Sequence, residues 1–198
     1  MNQLTRSDLL SLEAYAERRP AMRREVMNHK QTRTVPVGPN ATLYFEDRTT
    51  ILYQVQEMLR AERIFEAEGI QEELDAYNPL IPDGRNFKAT FMLEYPDKDE
   101  RADRLSKLVG IEDQTWVQVE GFEKVYAIAD EDLERETEQK TSSVHFMRFE
   151  LTDEMATAVK NAGASISVGI DHPNYTHAVS PVPGPIRESL AGDLEAVH

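Results

Sequence analysis

A change of hydrophobic period near Phe87 constrains the fold of this chain more than any other feature. Over 50–77 apolar residues recur at helical spacing, whereas from Phe87 on they alternate with polar ones in five segments, FKATFMLEY, TWVQVEG, FEKVYAIA, SVHFMRFEL and SISVGID. Alternation is typical of half-buried strands, because successive side chains point to opposite faces. Two helices are predicted between these strands, over 98–108 and 152–161, and Thr152 can cap the second. Strands with inserted helices, without strict βαβ alternation, predict an α+β fold with a mainly antiparallel sheet.

The first 33 residues predict a basic helical arm. Ser7 or Ser11 can cap a short helix that ends before Pro20, and Pro20 suits the first turn of a second helix that runs to about residue 32. The arm carries seven bases and four acids, although the whole chain has a formal net charge of −14. We therefore expect an N-terminal helical pair that either docks on an acidic surface or is simply solvated.

The middle of the chain predicts a hairpin followed by the main helix. The turn signal GPN at 38–40 lies between two short extended segments. A long central helix over 50–67 follows, and a shorter helix continues to about residue 77. We expect one domain in which the sheet packs against the central helix. Its parts are the helical arm 1–33, an α+β core 34–182 and a C-terminal tail 183–198 that lies over the surface.

Composition argues against several classes of protein. The charge of −14 argues against a nucleic-acid surface, because phosphate binding is driven by Lys and Arg. No apolar run is long enough for a membrane span and the N-terminus lacks an apolar leader, so we expect a cytoplasmic protein. The absence of cysteine excludes disulfides, thiol nucleophiles and cysteine-ligated metal centres. Glycine-rich nucleotide motifs, GxSxG and the EF-hand loop are also absent.

Glu62 has an unusual position in the predicted central helix. At about 100° per residue it falls inside the apolar stripe that contains Val55, Leu59 and Phe65. A buried carboxylate without a partner is strongly unfavourable. We therefore expect Glu62 to be buried beside an ion partner, a metal ion or a bound proton.

Two histidines are predicted on buried faces of strands. His145 alternates with Met147 and Phe149 in one strand, and His172 is in register with Ile170 in another. Two imidazoles and one carboxylate are the ligand set of a non-haem iron centre, and they also suit manganese or zinc. Glu62, His145 and His172 are therefore candidate metal ligands.

Two other interpretations of the same three residues stay open. The spacing lacks the HxH, HExxH or ExxH pattern that would fix two ligands on one element. In the first alternative the histidines are satisfied core residues and Glu62 pairs with an arginine. In the second, Glu62 is a general acid or base beside His145 in a small-molecule pocket.

A second group of residues predicts a substrate site near the main helix. Arg48 and Arg148 could each clamp a carboxylate or phosphate. Glu57 and Gln54 flank the apolar stripe, and Tyr44 lies on a strand that leads into the helix. We interpret Gln54 and Tyr44 as substrate-binding residues and Glu57 as an alternative acid or base to Glu62.

Four segments of the chain, in this order, resemble an uncharacterised bacterial family, a domain of unknown function with a length similar to this chain's. They are GPNATLYFEDRTTILYQVQEMLRAERI, EELDAYNPLIP, SSVHFMRFEL and DHPNY. The genes of that family resemble neighbours of rubrerythrin-like and iron–sulfur oxidoreductase genes. The resemblance thus implies an oxidative-stress or electron-transfer context, and it carries over no catalytic residue.

Three hypotheses for function follow from these observations. The first is a redox-context protein that binds a non-haem metal or acts as accessory partner to an iron–sulfur oxidoreductase or a rubrerythrin-like protein. The second is an enzyme that uses acid/base chemistry on a small anionic substrate, with His145 as proton shuttle. The third is a non-catalytic interaction module that uses the basic arm and the acidic segment 130–138. The oligomeric state stays open, a homo-oligomer included.

Overall fold

The structure, a computed structural model, describes residues 3–131 and 140–195. Six α-helices and nine strands follow one another in these ranges, with three short 3-10 turns at Arg6–Asp8, Asn78–Leu80 and Glu112–Gln114. The helices are α1 (Leu12–Lys30), α2 (Arg48–Ala61), α3 (Ala67–Tyr77), α4 (Lys98–Ser106), α5 (Asp153–Asn161) and α6 (Gly184–Ala191). The strands are β1 (Thr34–Val37), β2 (Ala41–Glu46), β3 (Asn86–Leu93), β4 (Thr115–Val119), β5 (Lys124–Tyr126), β6 (Ile128–Ala129), β7 (Val144–Glu150), β8 (Ile166–His172) and β9 (Tyr175–Val179).

The strands form two antiparallel sheets instead of one. The first has the order β1-β2-β3-β7-β6, and the second has the order β5-β4-β8-β9. Ala127 joins β5 to β6, so the chain passes from one sheet to the other within a single residue. Phe45, Phe87 and Phe149 of the first sheet share one core with Val117 and Ile170 of the second. The α+β class predicted from the sequence is thus confirmed.

The N-terminal arm is one α-helix, so the predicted helical pair is wrong. Helix α1 runs through Pro20, with Ser11 as its N-cap. A proline inside a helix removes one backbone hydrogen bond and crowds the preceding turn. Arg19 binds Glu57 of α2, and the buried Tyr15 binds the same carboxylate. These contacts hold the turn that Pro20 disturbs against α2, so tertiary packing outweighs the local cost.

Helix α2 ends at Ala61, before the predicted position. Arg63 adopts a positive φ of 54°, and the amide of Ile64 donates to the carbonyl of Leu59 at 2.9 Å. This is a Schellman-type ending, in which a left-handed residue turns the chain away from the helix axis. Ile64 then packs on the second, smaller core, which contains Leu4, Ile51, Val55, Leu59, Leu74 and Ile81.

The C-terminal part of the chain is an integral part of the fold, which corrects the expectation of a tail over the surface. Strand β9 pairs with β8, although SISVGID is the last of the five predicted strands. Within α6 and the turn after it, Ile186, Leu190 and Leu194 are buried in the main core. Nearby, Asp193 accepts a hydrogen bond from Arg33 at 2.5 Å, and both side chains are almost fully buried.

None of the helices in the described ranges combines the length and apolar character that crossing a bilayer requires. The predicted hairpin of β1 and β2 is confirmed, with Val37 paired to Ala41. The predicted cap of α5 is also confirmed, since the Thr152 side chain accepts from the amide of Met155. Of the acidic segment 130–138, only Asp130 and Glu131 are described, and residues 132–138 lie outside the described ranges.

Candidate functional site

A groove of about 620 Å³ lies between one face of the first sheet and the helical region. Strands β3 and β7 provide one wall, whereas α2, α3 and the turn after α3 provide the other. Pockets of this size are typical of small-molecule sites. Its lining residues are Met58, Glu73, Asp75, Ala76, Tyr77, Pro79, Leu80, Lys88, Asp130, Glu131, Phe146, Met147 and Arg148.

Alternation in the two strands decides which side chains reach the groove. Lys88 of β3 is paired in register with Arg148 of β7. Their neighbours Phe87 and Phe149 are fully buried on the opposite face, in the main core. Because side chains of a strand alternate, the core residues fix Lys88 and Arg148 on the groove side. The groove therefore presents two cations next to each other on a rigid central part of the sheet.

Arg148 is held by two carboxylates. Its Nε and Nη2 atoms donate to Glu131 at 3.1 and 2.7 Å, and Nη1 donates to Glu150 at 2.5 Å. The hydrogen bonds from Arg148 to Glu131, and next those to Glu150, raise the pKa of Arg148. In turn, the Arg148 guanidinium lowers the pKa of the Glu131 carboxyl. The guanidinium is thus permanently charged and orientated along the groove wall.

Lys88 has a different environment. Its Nζ donates to the carbonyl oxygen of Pro79 at 2.5 Å, and among the described residues it has no carboxylate within ion-pair distance. Partial burial lowers the pKa of the Lys88 amine; nearby Asp83 opposes that shift, whereas Arg148 adds to it. Burial disfavours a charged amine because water that would solvate it is displaced. Glu131 and Glu150 also raise the pKa of Lys88 through space, but Lys88 forms no ion pair with a carboxylate in the described part of the chain.

A buried polar cluster around His145 adjoins the groove through Asp130. The His145 ring is fully buried, with Nδ1 at 2.5 Å from Asp130 Oδ2 and Nε2 at 3.0 Å from the Ser142 carbonyl. Nε2 also lies 2.9 Å from the Thr141 hydroxyl. Glu112 lies 3.8 Å from Nε2, and Thr141 donates to the same carboxylate at 3.3 Å. The His145 ring thus connects a buried acid with one that lines the groove.

The backbone of Asp130 is held in an uncommon conformation. Its φ is 48°, in the left-handed region, and its Oδ1 accepts from the amide of Phe146 at 2.9 Å. Asp tolerates this region better than most residues, because its short side chain bonds to nearby backbone. Strained residues of this kind are concentrated at functional sites. The turn aims the carboxylate at His145 from the edge of the groove.

Comparison with known proteins assigns the chain to a family. Residues 3–194 match DUF3501, a family described as proteins of unknown function. The chain belongs to the DUF3501 family. A crystal structure described as a novel protein of unknown function from Burkholderia pseudomallei K96243 is also similar, with 52% identity and a TM-score of 0.93. That similarity covers 98% of this chain and 100% of the other, whereas comparison with curated proteins found no match.

The family assignment confirms the resemblance to an uncharacterised family that the sequence motifs indicated. The descriptions of the family and of the Burkholderia protein name no activity, ligand or partner. The implied link to iron–sulfur oxidoreductase or rubrerythrin-like proteins therefore stays a prediction for this DUF3501 member.

Glu62 is exposed, so the expectation of a buried carboxylate is wrong. The prediction assumed that the helix continues to residue 67, but the Schellman-type ending at Arg63 places Glu62 at the C-cap. Beyond that point the helical wheel no longer describes side-chain directions. Phe65, assigned to the same stripe, is 71% exposed for this reason.

The three candidate metal ligands are not brought together. Among the residues that the structure describes, no group of three or more His, Asp or Glu side chains is placed to hold a metal ion. His172 is buried as predicted, but its Nε2 lies 3.1 Å from the Val109 carbonyl and its Nδ1 accepts from the amide of Asn174. His145 is buried as predicted and bound at both nitrogens. For His172 the geometry favours the alternative of a satisfied core residue.

The other predicted residues are scattered around the fold. Glu57 holds α1 through Tyr15 and Arg19, and the Arg19 hydrogen bond lowers its pKa to about 2. Arg48 pairs with Asp8 at 2.6 Å in the N-terminal turn. The Tyr44 hydroxyl lies 3.5 Å from Glu94. These three and Gln54 do not line the groove, whereas Arg148 does; their substrate-binding or catalytic roles stay predictions.

Sequence reasoning missed Lys88, Asp130 and Glu112. Lys88 was visible as a single base in the apolar strand FKATFMLEY, on the face opposite Phe87. Asp130 was hidden in the run DEDLERETE, which we interpreted as a solvated segment or docking surface. Glu112 gave no signal, since its role depends on a strand more than thirty residues later in the chain. Only tertiary packing places these groups near one another.

Proposed function

We propose that this protein binds a small organic anion in the groove and acts on it by acid/base chemistry. The observation that carries this proposal is the Lys88 amine, which lies in the groove without a carboxylate partner among the described residues. An unpaired, half-buried cation gains more from an incoming anion than a paired surface cation does, because it is less solvated.

Arg148 supports an anionic ligand as well. Its partner Glu131 is 49% exposed, so a ligand can reach the guanidinium from solvent. A ligand carboxylate or phosphate that displaces Glu131 would form the same two hydrogen bonds with Arg148. Arginine suits this role because its planar fork bonds such groups through two parallel N–H donors.

The rest of the groove suits an organic body. Met58, Tyr77, Leu80 and Phe146 provide apolar surface beside the two cations. Ligand sites commonly combine apolar walls with a few polar groups that fix orientation. Asp130 and the buried His145 supply the acid/base pair, in which His145 keeps the role of proton shuttle predicted from the sequence.

Thermal denaturation of the full chain against a panel of small carboxylates, phosphates and sulfonates tests this proposal. A ligand present at about a hundred times its Kd stabilises the native state by about 2.7 kcal/mol, which corresponds to roughly 5–10 °C for a chain of this size. Lys88→Met should abolish the shift in melting temperature, and Glu131→Gln should strengthen binding. Lys107→Met is the matched control, since Lys107 is exposed and pairs only with Asp103 among the described residues.

Two outcomes contradict the proposal. One is the absence of any shift with every anion in the panel. The other is an unchanged shift in Lys88→Met, which would place the anion elsewhere on the protein.

The redox and accessory hypothesis rests on the family resemblance alone. Co-purification of an iron–sulfur oxidoreductase or a rubrerythrin-like protein with the untagged chain, at low salt and not at high salt, would support it. Elemental analysis for iron, manganese and zinc tests the metal hypothesis separately.

A further inference from the structure

Lys88 has the chemistry of an amine nucleophile. A lysine attacks carbonyl groups only as the neutral amine, and enzymes favour that form by desolvation and by a neighbouring cation. Lys88 has both conditions: it is half-buried, and Arg148 is its direct cross-strand partner. The hydrogen-bond acceptor that holds it is the neutral carbonyl of Pro79, and the carboxylates of Asp83, Glu131 and Glu150 act on the amine only through space.

Asp130 and His145 lie beside the groove and can donate and accept the protons of such a reaction. Asp130 approaches β7 opposite Phe146, two residues along the strand from Arg148 and on the same groove. It is hydrogen-bonded to the His145 ring, which faces acceptors at both nitrogens. The groove therefore contains an amine, a permanent cation for a ligand's acidic group, and a carboxylate–imidazole pair that can give and take a proton.

We propose that the ligand is a small oxo acid and that Lys88 forms an imine with its carbonyl carbon. This inference rests on the proposed anion-binding function and names its substrate class. The Lys88 nitrogen forms a bond to the carbonyl carbon while the carbonyl π bond breaks, and one amine proton passes to the oxygen to give a carbinolamine. The hydroxyl then takes a second proton from the Asp130–His145 pair, the C–O bond breaks and water leaves. The iminium nitrogen returns its remaining proton to the same pair. The balance is amine plus carbonyl to imine plus water, with no oxidant or reductant.

Reductive trapping on the full chain tests this step. The protein is incubated with glyoxylate or pyruvate and cyanoborohydride, which reduces an imine to a stable secondary amine, and modified lysines are mapped by peptide mass spectrometry. We expect Lys88 to be modified at least about tenfold faster than the exposed Lys107, because the bound oxo acid presents its carbonyl at high local concentration. Acetate or lactate, which carry the acid without the carbonyl, should slow modification of Lys88 alone.

Lys88→Arg keeps the positive charge and removes the nucleophile. We expect it to retain a melting-temperature shift with oxo acids and to lose selective trapping. Modification of Lys88 at the same rate as Lys107 would overturn the imine proposal. If anions still raise the melting temperature in that case, the binding function survives and only the covalent step is rejected. If neither trapping nor a shift occurs, both proposals fail.

Discussion

At the scale of single residues, His145 is a buried histidine with hydrogen-bond partners at both ring nitrogens. It is fully buried, and the Asp130 carboxylate that it binds is only 8% exposed. We predict that His145→Ala lowers the free energy of unfolding by about 3–5 kcal/mol, because it breaks a buried contact in which the ring lies 2.5 Å from the Asp130 carboxylate. Urea unfolding measures this loss.

Asp130→Ala and the double variant complete the test of the pair. Removing both partners should cost less than the sum of the two single losses, since no unpaired charge is left behind. Additive losses would show that His145 and Asp130 do not stabilise each other.

Glu62 gives the opposite prediction at the same scale. Because it is exposed at the C-cap of α2, Glu62→Gln should change the free energy of unfolding by no more than about 0.5 kcal/mol. Leu59→Ala, one turn earlier and buried, should cost about 2–5 kcal/mol in the same urea experiment. A large loss of unfolding free energy in Glu62→Gln would show that Glu62 is buried after all.

At the scale of elements, the position of α1 depends on one carboxylate of α2. Glu57 accepts from the Tyr15 hydroxyl at 2.6 Å and from Arg19 at 2.6 and 3.0 Å. We predict that Glu57→Ala costs about 1–3 kcal/mol, because the Tyr15 hydroxyl is left buried without an acceptor. Amide hydrogen exchange within α1 should accelerate more than exchange within β3.

Glu17→Ala is the matched control for this prediction. Glu17 lies on α1 but is exposed, so its loss should leave exchange in α1 unchanged. Equal exchange rates of α1 in Glu57→Ala and the wild type would show that Glu57 does not hold α1 against α2.

The stabilisation by Glu57 depends on pH. Since the pKa of Glu57 is lowered to about 2, its contribution to the free energy of unfolding is present above its ordinary pKa of 4.5 and is lost as pH falls towards 2.

The elements also show where local pattern and tertiary structure diverge. The period of two in FKATFMLEY and SVHFMRFEL predicted β3 and β7, since strands buried on one face alternate. Pro20 indicated a break that α1 does not have, because contacts with α2 hold the turn before it. Strand β9 was missed because most of its residues are exposed, so apolar and polar residues do not alternate clearly along it. Its backbone pairing with β8 stabilises the strand instead.

At the scale of the whole molecule, a buried ion pair joins the C-terminal turn to the N-terminal region. Arg33, 2% exposed, donates to Asp193 and to the carbonyls of Phe45 and Glu46. Burial raises the pKa of Asp193 to about 6, although Arg33 opposes that shift. The ionised form of Asp193 therefore costs stability that the protonated form does not.

This raised pKa predicts a pH dependence with a definite sign. Between the ordinary pKa of 3.8 and about 6 the folded state binds more protons at Asp193 than the unfolded state, so this contribution falls as pH rises. The free energy of unfolding of Asp193→Asn, minus that of the wild type, should rise by about 2 kcal/mol from pH 4 to pH 6.

Urea unfolding at several pH values measures this difference. Asp47 and His29, which face the same pair, are present in both proteins, so the subtraction removes most of their effect. A difference that is flat with pH would show that Asp193 is ionised throughout the range.

The sequence by itself determined the α+β class, the antiparallel pairing, the hairpin, the cap of α5 and the burial of both histidines. These depend on local period, turn chemistry and alternation, which act within a few residues. It also indicated the family, through four motifs spread over most of the chain.

Only the tertiary structure decided which ionisable groups meet. Lys88 lies on β3, Arg148 on β7 and Asp130 directly after β6, and the helical wall opposite them comes from earlier in the chain. Glu62 is exposed, and not buried as predicted, because the left-handed residue Arg63 ends α2. Long-range packing and backbone direction set these outcomes, and neither is encoded in the spacing of residues along one element.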